Sequence, residues 1–216
     1  MDALEILARG GSFLLPIGVA SVLGLALFFE RLVYLRYSRI APPQLSQAVR
    51  RLVVDGDLAE LRVQCERSDS PSSRVLLRGL KLAGASRVHM RESMEDGGRA
   101  ELRRMRRNTG AIAAVATVAP LLGLLGTVVG MISTFQAVVE SSAQGAGAVD
   151  VGQLADGIWQ ALVTTAAGQV VAIPVLLGHR YLAGRIDRLI GEIEDLAGLV
   201  VDRFAREEDS DEEPAA

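Results

Sequence analysis

The polar side chains set inside long apolar runs are the groups of this sequence with chemical potential. On the small-residue face of the run over 111–139 these are Thr127 and Thr134. On the run over 157–178 they are Gln160, Thr164, Thr165 and Gln169. Hydroxyls and amides order water and make hydrogen bonds, but they do not titrate near neutral pH. No carboxylate lies between Glu101 and Glu140, or between Asp156 and Asp187. A proton relay through hydrocarbon normally uses Asp, Glu or His. The chain therefore offers a polar wall and cannot by itself supply the titrating site of such a relay. Were a carboxylate brought against that wall by another chain, protonating it would remove its preference for the wall, a plausible electrostatic switch.

Other chemistry is poorly supplied. The lone Cys65 excludes an internal disulfide and a cysteine metal cage. His89 and His179 lie far apart in sequence. No nucleophile–base pair, metal cluster or phosphate loop stands out. No catalytic residue, cofactor or metal is expected, and an enzyme embedded in the membrane is the least favoured class. The formal net charge of −3 implies no general attraction to nucleic acid.

The elements that position the polar groups are membrane spans. The stretch over 119–135, APLLGLLGTVVGMISTF, lies in a run with no charged residue between Arg107 and Glu140. About 29 residues at ~1.5 Å each make about 43 Å of helix, more than a ~30 Å hydrocarbon core requires. Winding at about 100° per residue gathers Ala116, Ala119, Gly123, Gly126, Thr127, Gly130, Thr134 and Ala137 on one side. Leu121, Leu125, Val128, Val129 and Ile132 take the other. Small residues serve where backbones approach closely, as the Gly126-x-x-x-Gly130 spacing permits. Gly123, Gly126, Gly130 and Gly168, with Pro120 and Pro174, are the candidate helix-packing positions, and they predict a homo-oligomer around a central hole. Pro120 frees the carbonyl of Ala116, which protein or water must then satisfy. A helix that only packs and a helix that lines a pore both fit this pattern.

On the 157–178 helix the four polar groups share half the circumference with Gly157, Ala161 and Gly168. Trp159, Val163, Ala166, Val170, Ile173 and Leu177 occupy the other half. Such a stripe faces protein or water rather than lipid. Interhelical hydrogen bonds, or bonds of each threonine back to its own helix, would also account for it.

The rest of the chain divides around these spans. Residues 1–10 form a short head, with an interfacial helix expected there. Residues 11–30 are a first span, read as uncleaved, followed by Arg31, Arg36 and Arg39. Residues 31–107 form a polar helical domain. Within it the sequence predicts helices over 44–54, over 58–66, from Ser70-Pro71 to about Gly84, and from Val88 onward. That last helix is expected to weaken at Gly97-Gly98 and to end in a basic collar of Arg103, Arg104, Arg106 and Arg107. Residues 108–139 are the second span, 140–156 a loop, 157–178 the third span, 179–206 its extension beyond the membrane, and 207–216 an acidic, disordered tail. Of 23 Lys and Arg, only Arg9 falls on the side of the N-terminus and the 140–156 loop. The positive-inside rule then places the N-terminus outside and residues 31–107 and the C-terminus inside. The fold class is thus all-α, with three transmembrane helices and long cytoplasmic extensions.

Two stretches carry a family likeness. LLGTVVG over 124–130, and ALVTTAAG over 161–168 followed by AIP over 172–174, resemble the two signature helices of the MotA/TolQ/ExbB proton-channel family. Three spans of this polarity make the ExbB/TolQ branch the nearer match. The resemblance implies a pentamer in a bacterial inner membrane, around a pore that encloses the single helices of an ExbD/TolR-like partner. It implies that proton-motive force drives motion passed to a TonB- or TolA-like protein. Thr127 and Thr165 take the positions of the family's pore-lining threonines, with Thr134, Thr164 and Gln160 as further candidates for the ion path. Gln160 stands where many relatives carry Glu, which is a departure. The competing reading is a scaffold subunit that assembles an envelope complex and conducts nothing.

Overall fold

A computed structural model describes residues 12–143 and 151–206. The expected head helix in 1–10, the centre of the 140–156 loop and the acidic tail lie outside these residues. Among the described residues the chain is all-helical, with three helices long and apolar enough to cross a membrane. In chain order the helices are α1 (Leu14–Tyr34), α2 (Tyr37–Ile40), α3 (Pro43–Asp55), α4 (Leu58–Arg67), α5 (Pro71–Leu80), α6 (Arg87–Met105), α7 (Thr109–Ala143) and α8 (Val151–Phe204). The chain divides into two compact units. One comprises residues 1–31 and 108–181, the other residues 32–107 and 182–216.

The second unit has an amphipathic-helix core. Each helix begins or ends where the local chemistry demands. Pro43 opens α3, where its missing N–H is harmless. Gly56 closes it at φ +74°, with its N–H bonded to the Leu52 carbonyl at 2.9 Å. Asp57 caps α4 by accepting the Glu60 N–H at 2.9 Å. Ser70 and Ser73 form a reciprocal capping box on α5. The buried side chains Val49, Leu61, Leu76, Met90 and Met105 pack in one core with Leu182, Ile186, Ile193 and Leu196 from the distal half of α8. Arg185 and Arg203 of that half donate to the Leu35 and Val53 carbonyls at 2.7 and 3.2 Å. These bonds satisfy main-chain acceptors that the apolar seam cannot.

The glycine pair expected to weaken α6 does not interrupt it. Gly97 lies against α5, where an added Cβ would stand 2.9 Å from the Arg78 Cδ and 3.5 Å from the Val75 Cα. Contact, not flexibility, is what this glycine provides. The same helix carries Glu101, buried at 4% exposure and gripped bidentately by Arg74 at 3.0 Å through both Nε and Nη2. Arg104 adds a third bond at 2.8 Å. The hydrogen bond to Glu101 holds the Arg74 guanidinium above its ordinary pKa.

Cys65 is fully buried on α4, and burial, with Glu66 beside it, pushes its thiol up to about 12. A thiol held protonated is a poor nucleophile. The native protein at pH 7.5 should therefore react with a maleimide only after unfolding, measured as mass gain with and without denaturant. Removing Arg74 would leave a buried carboxylate with Arg104 alone. Arg74→Ala should lower stability by about 1–3 kcal/mol, read as a shift of thermal unfolding in detergent, with Glu101→Gln costing less.

Candidate functional site

In the first unit the small residues of α7 and α8 form a close seam. An added Cβ on Gly168 would meet the Ala119 carbonyl oxygen at 2.6 Å and the Gly123 Cα at 3.2 Å. One on Gly123 would lie 3.0 Å from both the Thr164 carbonyl oxygen and the Thr165 Cα. Gly130 faces Ala161 at 3.2 Å. Gly126 sits against the Thr164 methyl, and Gly157 against Thr134. The glycines that the sequence marks as packing positions thus bring two helices of one chain together. Pro120 and Pro174 lie inside unbroken helices. α1 closes one flank of the seam: Gly24 fits between Val115 and Val175 at 3.0–3.1 Å, and Phe28 lies 2.8 Å from the position a Gly178 Cβ would take.

The hydroxyls divide by depth. Thr164 is 2% exposed and donates to the Gln160 carbonyl at 2.8 Å. Thr134, also buried, donates to the Gly130 carbonyl at 2.8 Å. Both are satisfied by their own helices. Thr127 and Thr165 behave differently, because their Oγ1 atoms bond to each other across the seam. Thr165 also reaches the Gly123 carbonyl at 3.0 Å, while Thr127 lies 3.2 Å from the Gly123 carbonyl oxygen and 3.3 Å from that of Ala161. At about 100° per residue, Thr127 falls some 120° from Val115 around α7, and Thr165 some 140° from Gly178 around α8. The pair is half-buried and stands on the rim of the seam away from α1.

This rim is what the sequence alone could not place. Gln160 is half-buried near the Val151 end of α8 and is not drawn into the hydroxyl pair. Gln169, which the sequence puts on the polar stripe but not among the candidate ion-path groups, is exposed. Nine residues apart, the two glutamines stand about 180° from each other around α8.

A sequence profile described as the MotA/TolQ/ExbB proton channel family matches residues 67–195, which takes in both seam helices. The chain belongs to that family. A relative in Methanothermobacter thermautotrophicus, named as an ExbB homolog for biopolymer transport, is 33% identical over 88% of this chain and 66% of its own length. Two ExbB-like relatives in Synechocystis, also named for biopolymer transport, are 37% and 31% identical. The first covers 83% of this chain and 70% of the relative, and the second 94% and 96%. The chain thus spans about two thirds of the first two relatives' length. As a MotA/TolQ/ExbB member with three apolar helices, it is a multi-pass membrane protein.

The seam makes a sharp demand at Gly168, since a methyl there strikes a carbonyl oxygen of another helix, and backbone cannot yield as a side-chain tip can. Gly168→Ala should separate α7 from α8 and destabilise the protein by about 1–3 kcal/mol. Gly110→Ala, where a Cβ meets nothing within 4 Å, should be neutral or stabilising by up to about 1 kcal/mol. Unfolding midpoints in one detergent compare the two.

Proposed function

We propose that this chain is the fixed subunit of a proton-driven motor in a bacterial inner membrane. It assembles as a homo-oligomer, a pentamer by likeness to its family, around the single helices of an ExbD/TolR-like partner. The N-terminus lies outside, and the unit built on residues 32–107 lies inside. Proton-motive force acts on a carboxylate carried by the partner and is passed to a TonB- or TolA-like protein, in keeping with relatives named for biopolymer transport. The chain itself makes or breaks no covalent bond.

The observation that carries this reading is the Thr127–Thr165 pair on the open rim. A hydroxyl is both donor and acceptor. It can donate to an ionised carboxylate and accept from a protonated one, exchanging one bond for the other without moving its Cα. Each proton crossing supplies about 2.3 kcal/mol per 100 mV, before any pH gradient is counted. With no carboxylate of its own between Asp156 and Asp187, the wall stays neutral while the guest changes charge.

A scaffold that conducts nothing is favoured by a different observation. The hydroxyls of Thr127, Thr134, Thr164 and Thr165 all have acceptors within the chain, so these four threonines do not require water to be satisfied.

One experiment separates the two. The Thr127→Val, Thr165→Val double variant keeps the side-chain shape and removes both hydroxyls. In the motor, proton-dependent activity in cells should fall at least tenfold while the complex assembles in normal yield. Unchanged activity would leave the scaffold reading ahead. Gln160→Ala should weaken activity modestly and Gln160→Glu should be tolerated. Orientation is checked in a Cys65→Ala background: a cysteine at position 145 should react with an impermeant thiol reagent from the periplasm, and one at Arg62 should not.

A further inference from the structure

We propose that Gln169 lines the same water-containing passage as the Thr127–Thr165 pair, one turn farther along α8, and holds water there through its side-chain amide. This rests on the pore reading above, and it adds a residue which that reading does not use.

Depth comes first. At ~1.5 Å per residue, Gln169 lies about 18 Å from Gly157 and about 14 Å from Gly178, near the middle of a ~30 Å hydrocarbon layer. Its side chain is exposed and makes no hydrogen bond among the described residues. Exposed hydroxyls on α7 solve this problem locally. Thr117 donates to the Ala113 carbonyl at 3.0 Å, and Ser133 to the Gly130 carbonyl at 2.9 Å. The glutamine amide has no such bond and brings two N–H donors and a carbonyl. Acyl chains can satisfy none of them, so lipid is excluded as its neighbour.

Direction comes second. Gln169 is four residues beyond Thr165, on the same side of α8. It lies about 180° around the helix from Gly178, which Phe28 of α1 covers, so α1 is excluded as well. Thr165 and Gln169 differ by about 40° around α8, so the amide stands on the side of the Thr127–Thr165 pair. One passage then accounts for both the half-buried hydroxyls and the unpartnered amide. The remaining neighbour is a second copy of the chain that hydrogen-bonds the amide directly, and the test discriminates against it.

The test uses the full chain with its native partners in membranes, in a Cys65→Ala background. Gln169→Cys and Val170→Cys are compared for reaction with a charged, membrane-impermeant methanethiosulfonate. Val170 is 71% exposed on the apolar half of α8. Position 169 should react at least tenfold faster than position 170. Gln169→Leu should lower proton-dependent activity several-fold with the oligomer intact, and Gln169→Asn should recover part of it. Equal, slow reaction at the two positions overturns the proposal, whether Gln169→Leu keeps full activity or instead lowers oligomer yield. The second result would assign the amide to a contact between copies. If the threonine double variant is inactive while position 169 is unreactive, only this inference fails. If the double variant is fully active, the pore reading itself fails.

Discussion

The close approach of Gly168 to the Ala119 carbonyl, 2.6 Å from where a Cβ would stand, sets the register of everything else in the membrane unit. Lipid gives two apolar helices no solvent-driven reason to associate, so contact distance and hydrogen bonds must do so. With Gly123 and Gly168 at the crossing, main chains come near enough for side chains of one helix to reach carbonyls of the other. That is why the Thr165 hydroxyl can bond the Gly123 carbonyl at 3.0 Å and why Thr127 and Thr165 meet. Larger residues at the crossing would widen the seam and leave each hydroxyl only its own helix.

Much of this was legible beforehand, and the limits have physical causes. Three spans follow from the length and apolarity of the runs. The face gathered by winding the second span holds its buried residues Ala116, Ala119, Gly123, Gly126 and Thr134. What winding cannot say is what covers that face. Gly123, Gly126, Gly130 and Gly168 join α7 to α8 within one chain. Small-residue spacing encodes distance, not the identity of the partner. Helix ends were also less accessible: α8 begins at Val151, ahead of the apolar run, because polar residues such as Gln153 and Asp156 continue a helix without adding to its hydropathy.

Gly97 and Gln169 show the same limit from opposite directions. Gly97 reads as a weak point by propensity alone, yet its missing side chain admits Arg78 and the α5 backbone. Gln169 reads as one more member of a polar stripe, yet it is set apart from Thr164, which lies against Gly126 of α7. Residues 164 and 169 differ by about 140° around a helix, enough to put one inside the seam and the other outside it. A stripe drawn across half a circumference cannot make that distinction.

The arrangement also bears on why a neutral wall suits a moving guest better than a charged one. A fixed carboxylate or arginine facing the passage would favour one protonation state of the guest, trapping it or repelling it. An ion pair in low dielectric is costly to separate, and the desolvated partner left behind costs more. In the motor proposed above, a hydroxyl pair would offer a bond of similar worth to either state, so the guest's charge, not the wall's, would decide where it rests. The Gly123 and Ala161 carbonyls lie within hydrogen-bond reach of the Thr165 and Thr127 hydroxyls. Each donor therefore has an alternative acceptor within reach. In such a motor the hydroxyls would never be left unsatisfied at membrane depth, and the barrier between bound and released states would stay low.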